Sequence, residues 1–381
     1  MPFNAETLIA QRALAVDASG IRKVFDLAAN LKDPVNFSIG QPDFDVPERL
    51  KEKAIEAIHA GKNRYTPTQG IAELIDPLLK KTLADTAWPA EDTCLLILSG
   101  TSAGLVLAMM ATLNPGDEVL FLDPYFVMYH HLPKLCGAVP VAVDTYPDFR
   151  LHPERLEAAI TPRTKLLILC SPNNPTGITL TQAELDAAAA IAKKHNLLVI
   201  SDEIYDAFCY QPHLSIAKSL PGQCLMLKGY SKTYGMTGWR LGYVAGPKAI
   251  IDQMTKLQQY TFVCAPSMVQ YAALETVLTH HIDMTPFVRA YQKKRDLVVN
   301  GLKDSFEINA PGGAFYIFPK VPGNGKITAT TFAQQAIANN LLIIPGNVFS
   351  SRDTHFRISY ATTDDKLAQG IDILRKLARE I

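Results

Sequence analysis

The chain has 381 residues, 48% hydrophobic and 19% charged, with 37 Lys and Arg balancing 37 Asp and Glu for a formal net charge of zero. That much apolar sequence supports a large core and excludes a disordered or collagen-like chain. The even charge balance, with no long run of like charge, leaves no footprint for nucleic acid or an anionic membrane surface.

In chain order, the first twenty residues carry Glu6, Arg12 and Asp17 and no apolar segment, so no signal peptide is expected. Residues 21–32 (IRKVFDLAANLK) read as an amphipathic helix and are followed by the turn-rich Gly40-Gln41-Pro42-Asp43. Short apolar runs then alternate with helical stretches: Cys94–Leu98, Glu118–Leu122, Val139–Val143, Lys165–Cys170, Leu197–Ile200, Gln223–Leu227 and Tyr243–Ala245. The uncharged span Thr93–Gly116 is long enough to cross a bilayer, but Ser99-Gly100-Thr101-Ser102 and Asn114-Pro115-Gly116 interrupt it; a buried strand, a turn and a buried helix are expected there. Thr181 followed by Glu184 makes a capping box at the head of an Ala-rich helix to His195. From about 283 a long helix precedes strand-like Ala314–Phe318 and Phe356–Tyr360, with helices at about 328–339 and 364–379.

Alternation of this kind predicts an α/β fold, with a mostly parallel, seven-stranded sheet between helices. The expected division is an N-terminal arm and part of a small α+β domain over 1–45, a large domain over 46–280, and the rest of the small domain over 281–381. The clusters Lys193-Lys194-His195 and Lys293-Lys294-Arg295 read as solvated helix faces. Six separated cysteines with no C-x-x-C pair read as reduced thiols of a cytoplasmic protein and give no metal site.

Ligands of open parallel sheets sit beyond the C-terminal strand ends, and the residues that follow four of the runs stand out. Ser99-Gly100-Thr101-Ser102-Ala103-Gly104 opens a helix and suits an anion, although a plain tight turn has the same composition. Ser171-Pro172-Asn173-Asn174-Pro175-Thr176-Gly177 is stiffer than a connection needs, Asp202 ends a buried run where a helix cap is the commoner use, and Lys232 lies in a glycine-rich, nearly uncharged loop.

Taken in order, SPNNPTG, Asp202 with Tyr205, and Gly229-Tyr230-Ser231-Lys232-Thr233-Tyr234-Gly235-Met236-Thr237-Gly238-Trp239-Arg240-Leu241-Gly242 resemble the class I pyridoxal 5′-phosphate (PLP) dependent aminotransferases of fold type I, with the aspartate branch the most similar. The likeness runs from Ile39 to Tyr360. It implies that Lys232 forms the Schiff base with PLP and moves the substrate proton, that Asp202 pairs with the pyridine nitrogen, and that Tyr205 and Asn174 bond the phenolic oxygen. Arg240 would clamp the phosphate with Gly100, Thr101, Ser102 and Ser231, Phe126 would stack on the ring, and Arg357, beside Gly40, would take the substrate α-carboxylate together with Asn174. Tyr65 resembles the tyrosine that such enzymes lend to the neighbouring subunit's phosphate, so a homodimer with shared sites is implied. The implied partners are an L-amino acid and a 2-oxo acid such as 2-oxoglutarate, with no nucleic acid and no membrane.

Two departures bear on this. Gly229 stands where many members have a phosphate-binding serine, and Met109 and Met110 on the phosphate helix provide no basic residue for a distal carboxylate, which leaves aspartate, neutral and aromatic amino acids open. A PLP-dependent carbon–sulfur β-lyase shares the same motifs and is the alternative enzyme. A PLP-sensing transcription factor needs a DNA-binding module that the twenty residues before Ile21 do not supply.

Overall fold

The computed structural model of the protein describes residues 3–18, 20, 31–278 and 282–381. The helix expected over 21–32 falls outside them apart from Leu31 and Lys32, which lie in a bend. After β1 (Val35–Asn36), all seven apolar runs become strands: β2 (Thr93–Leu98), β3 (Glu118–Asp123), β4 (Val139–Asp144), β5 (Thr164–Cys170), β6 (Leu198–Asp202), β7 (Cys224–Gly229) and β8 (Gly242–Pro247). They form one sheet in the order β2-β8-β7-β6-β5-β3-β4. Only β8 runs against its neighbours, antiparallel to both β2 and β7.

The runs are continuously apolar because both faces of the sheet are covered. Side chains alternate along each strand, so Leu95 and Ile97 enter one core layer while Leu96 and Leu98 enter the other. The first layer is closed by the helices Glu48–His59, Ala72–Thr86, Gln182–Lys194 and Ser267–Leu278, the second by Thr101–Thr112 and Lys248–Thr261. The expected capping box is present: the Thr181 hydroxyl accepts from the Glu184 N–H, and the Glu184 carboxylate accepts from the Thr181 N–H at 2.7 Å. Among the described residues no helix is long and apolar enough to cross a membrane; the uncharged span is β2, the Ser99-Gly100 turn and a buried helix.

The chain ends meet. β1 pairs in parallel with β10 (Leu341–Leu342), while β11 (Ile344–Pro345), β12 (Phe356–Ser359) and β9 (Tyr316–Ile317) make a small antiparallel sheet. The helices Thr285–Leu302, Ala329–Ala338 and Asp364–Arg379 cover these strands around Phe37, Val298, Phe332, Phe356 and Leu374.

Lys293-Lys294-Arg295 is not simply a solvated face. Lys293 is exposed, but Lys294 bonds the Asp43 carboxylate, and Arg295 donates to the Pro311 carbonyl at 2.8 Å with its guanidinium 4.8 Å from the Tyr210 ring centre. Both side chains flank the buried stripe of Tyr291 and Val298 on the same helix, and they tie it to neighbouring segments.

Candidate active site

The parallel strands β5, β6 and β7 end on one side of the sheet, and the loops that follow them meet residues from the chain ends around a cavity of about 260 Å³. Its walls bring together Gly40, Thr101, Ser102, Phe126, Asn174, Asp202, Tyr205, Ser231, Lys232, Arg240 and Arg357. Of the residues singled out in the sequence, Gly100 lies just behind the wall and Tyr65, 84% exposed, lies outside it.

One end of the cavity is built for an anion. Gly100 has φ of 78° and leads into the helix Thr101–Thr112, whose first N–H groups and dipole favour negative charge. A Cβ on Gly100 would come within 2.4 Å of Arg240 Nη2, so glycine is what allows the guanidinium to rest against the helix start. Arg240 itself takes the left-handed conformation, φ 55°, and donates to the carbonyls of Thr237 at 3.1 Å and Ser99 at 3.4 Å. The doubt over Gly229 has a steric answer. A Cβ there would stand 2.4 Å from Ile204 Cδ1 and 2.9 Å from Thr101 Cγ2, so a serine would have to displace both side chains.

Lys232 follows β7 on a single helical turn, Tyr230–Thr233, and its Nζ donates to the Gly40 carbonyl at 2.6 Å. Burial, the Arg357 and Arg240 guanidiniums together pull its pKa down to about 8, against the opposing pull of Asp202. Asp202 closes β6. Its Oδ2 accepts from the Tyr129 hydroxyl at 2.6 Å and its Oδ1 from the Ile204 N–H at 3.2 Å; burial raises its pKa while Tyr129 opposes the rise. The following short turn, Asp206–Phe208, is headed by Tyr205, so Asp202 is not a helix cap.

Arg357 is 1% exposed. Nη1 donates to Asn174 Oδ1 at 3.0 Å and Nη2 to the Ser38 carbonyl at 2.7 Å, while Nε is buried with no partner. Aromatic rings flank the guanidinium, Tyr316 at 4.7 Å and Phe349 at 4.8 Å. The guanidinium thus faces the cavity with neutral partners only, an arrangement that suits a carboxylate arriving from outside.

The argument from Met109 and Met110 does not hold. Met109 is fully buried in the core behind its helix and Met110 is 43% exposed; the face turned to the cavity carries Thr101, Ser102 and Leu105. Sequence reasoning also missed Tyr129 and Tyr316, both in the wall. Tyr129 lies three residues after Phe126 at the head of the helix Val127–Leu135, and that spacing is the one local sign of a shared face. Tyr316 lies in the run read as strand-like and carries no sign of its role in its neighbours.

The family model described as aminotransferase class I and II matches residues 32–374. An aspartate aminotransferase of Pyrococcus abyssi is 38% identical, covering 96% of this chain and 97% of its own. An aromatic-amino-acid aminotransferase of Thermococcus litoralis is 36% identical, covering 98% of each. Among solved structures, the Thermus thermophilus aspartate aminotransferase with maleate superposes with a TM-score of 0.91 at 33% identity, covering 97% of this chain and 99% of that one. The chain belongs to the class I and II aminotransferase family, whose enzymes carry out transamination with pyridoxal 5′-phosphate.

Proposed function

We propose that this cavity holds PLP on Lys232 and moves an amino group between an L-amino acid, in a range from aspartate through neutral to aromatic, and a 2-oxo acid such as 2-oxoglutarate. The observation that carries the reading is that one buried amine, one buried carboxylate and two guanidiniums, drawn from three separate parts of the chain, face one cavity. The residues fit the group: the Gly100–Ser102 helix start with Ser231 and Arg240 suits its phosphate, Asp202 its ring nitrogen, Tyr205 and Asn174 its phenolic oxygen, Phe126 its ring face and Lys232 its aldehyde. When bound, PLP supplies an electron sink for the bond being broken at the substrate Cα.

The chain's own residues do the rest. Asp202, held by Tyr129, places its carboxylate where the ring nitrogen needs a proton. A Lys232 amine with a pKa near 8 is partly unprotonated at neutral pH, so it can take and return the Cα proton. Arg357, with Asn174 beside it, orients the substrate through its α-carboxylate.

A homodimer with shared sites and a cytoplasmic setting belong to the same reading, as does the division into a large unit over 46–280 and a small one from 1–45 and 281–381. Tyr65 at 84% and Tyr260 at 85% exposure, with Phe262 and Val263 nearby in sequence and also partly uncovered, support a face that a second copy would cover. The test is a half-reaction: purified protein loaded with PLP should show a visible band that a panel of L-amino acids bleaches and 2-oxoglutarate restores. Release of pyruvate and ammonia from cystathionine without any added oxo acid would favour the β-lyase instead.

A further inference from the structure

Tyr316, from β9 in the chain-end core, has no part in the roles above, yet it is fully buried and reaches three groups of the site. Its hydroxyl lies 2.9 Å from the Tyr205 hydroxyl. Its ring carries the Arg357 guanidinium at 4.7 Å. A Cβ built on Gly40, whose carbonyl accepts from Lys232, would stand 2.8 Å from the Tyr316 oxygen.

Two hydroxyls at bonding distance share two protons, and one must donate to the other. Burial keeps both tyrosines un-ionised, pushing Tyr205 well above its ordinary range and Tyr316 up as well, but for Tyr316 the Arg357 charge is the largest opposing influence. The Arg357 charge 4.7 Å from its ring favours the donating role for Tyr316. If it donates to the Tyr205 oxygen, the Tyr205 proton is left free for a third group.

We propose that Tyr316 is a positioning residue of the transfer reaction that acts through Tyr205: its hydroxyl donates to the Tyr205 oxygen, directs the Tyr205 proton to the cofactor's phenolic oxygen, and strengthens that donation. The proposal rests on the reading of the cavity as a PLP site. Chained hydrogen bonds polarise one another, so the first donor strengthens the second. A stronger donor at the phenolic oxygen favours its ionised form and lowers the pH at which the adjoining Lys232 nitrogen gives up its proton. The same tyrosine lies against Arg357, so the cofactor's protonation and the substrate's carboxylate site are joined by one side chain.

The test is Tyr316→Phe, which keeps the ring, its place in the core and its contact with Arg357. Three quantities are compared with the unaltered protein: the pH midpoint of the visible band of PLP-loaded protein, the affinity of the cofactor-free protein for PLP by fluorescence titration, and kcat and KM for both substrates. The midpoint should rise by roughly half to one pH unit, PLP affinity should fall about threefold, and kcat about five- to tenfold, the scale of one hydrogen bond, with both KM values within about twofold. An unchanged midpoint with raised KM for both substrates would assign the hydroxyl to the carboxylate and overturn the proposal. No change in any of the three would reduce Tyr316 to packing and also overturn it. Absence of a visible band from the unaltered loaded protein would instead overturn the cofactor reading itself.

Discussion

Asp202 and Glu203 are neighbours, both carboxylates and both buried, and they face opposite environments. Glu203 is surrounded by partners: it accepts from the Ser201 hydroxyl at 2.9 Å, from the Ser215 hydroxyl and from His213 Nε2 at 3.1 Å, with Lys228 Nζ at 3.4 Å. Although burial works against it, His213, Lys228 and Ser215 hold its pKa down to about 2. Asp202 has one tyrosine and one N–H, and burial leaves its pKa raised. The lysines of the next strand and of the helical turn that follows it divide in the same way. Lys228 is paired with Asp206 at 2.9 Å and its pKa is raised, while Lys232, four residues on, donates to a carbonyl, and burial with two nearby guanidiniums outweighs the pull of Asp202, so that it falls to about 8. A buried charge with a full set of partners holds the fold together; one left short of partners is held ready for a ligand.

Substitution on each side of this divide should give opposite outcomes. Lys232→Ala is expected to cut transamination by about 10⁴-fold, since it removes both the attachment point and the proton carrier, while the cofactor-free protein still folds. Single-turnover kinetics and thermal denaturation check the two halves of that statement. Asp202→Asn should slow the amino-acid half-reaction by about 10²- to 10³-fold with little change in Tm. Glu203→Gln should invert the pattern, with kcat per folded site within about threefold and a loss of about 3 kcal/mol in stability, because it breaks a buried charge pair. If both variants lose activity and keep stability equally, the divide between the two carboxylates is wrong.

Arg357→Lys is expected to raise KM for the amino acid and the oxo acid together by roughly 30-fold, since an ammonium cannot reproduce two parallel N–H bonds. A rise for one substrate alone would point to a side-chain contact. A separate effect is in stability against pH, where the two sites slope at opposite ends of the scale. Lys232 has a folded pKa of about 8 against an ordinary 10.5, so the unfolded chain binds more protons between those values. Cofactor-free protein should therefore gain stability as pH rises through that window, and Lys232→Met should flatten the gain. For Glu203, about 2 when folded against 4.5, the contribution is complete above 4.5 and is lost as pH falls towards 2; Glu203→Gln should remove that loss. Denaturation midpoints measured across both windows would show the slopes.

How much of this the sequence carried depends on the range of the interactions. The strands were legible because apolar runs and turn residues are local, and so was the Thr181–Glu184 box. The reversed direction of β8 was not, since it follows from pairing with β2 and β7 rather than from its own residues. Lys232, Asp202 and Arg240 stood out through motifs around them. Tyr129 and Tyr316 meet their partners across 73 and 111 residues, and Lys294 meets Asp43 across 251, so none of these contacts has a local signature. Met109 misled for the opposite reason: it belongs to the phosphate helix in sequence, but it lies in the last turn of that helix and is buried in the core, outside the cavity wall.

The most direct test of the divide is to load the protein with PLP, reduce it with borohydride and map the labelled peptide. Two lysines four residues apart compete for the assignment, both largely buried. The label should fall on Lys232 and be absent from Lys228; a label on Lys228, or on any other lysine, would contradict the account.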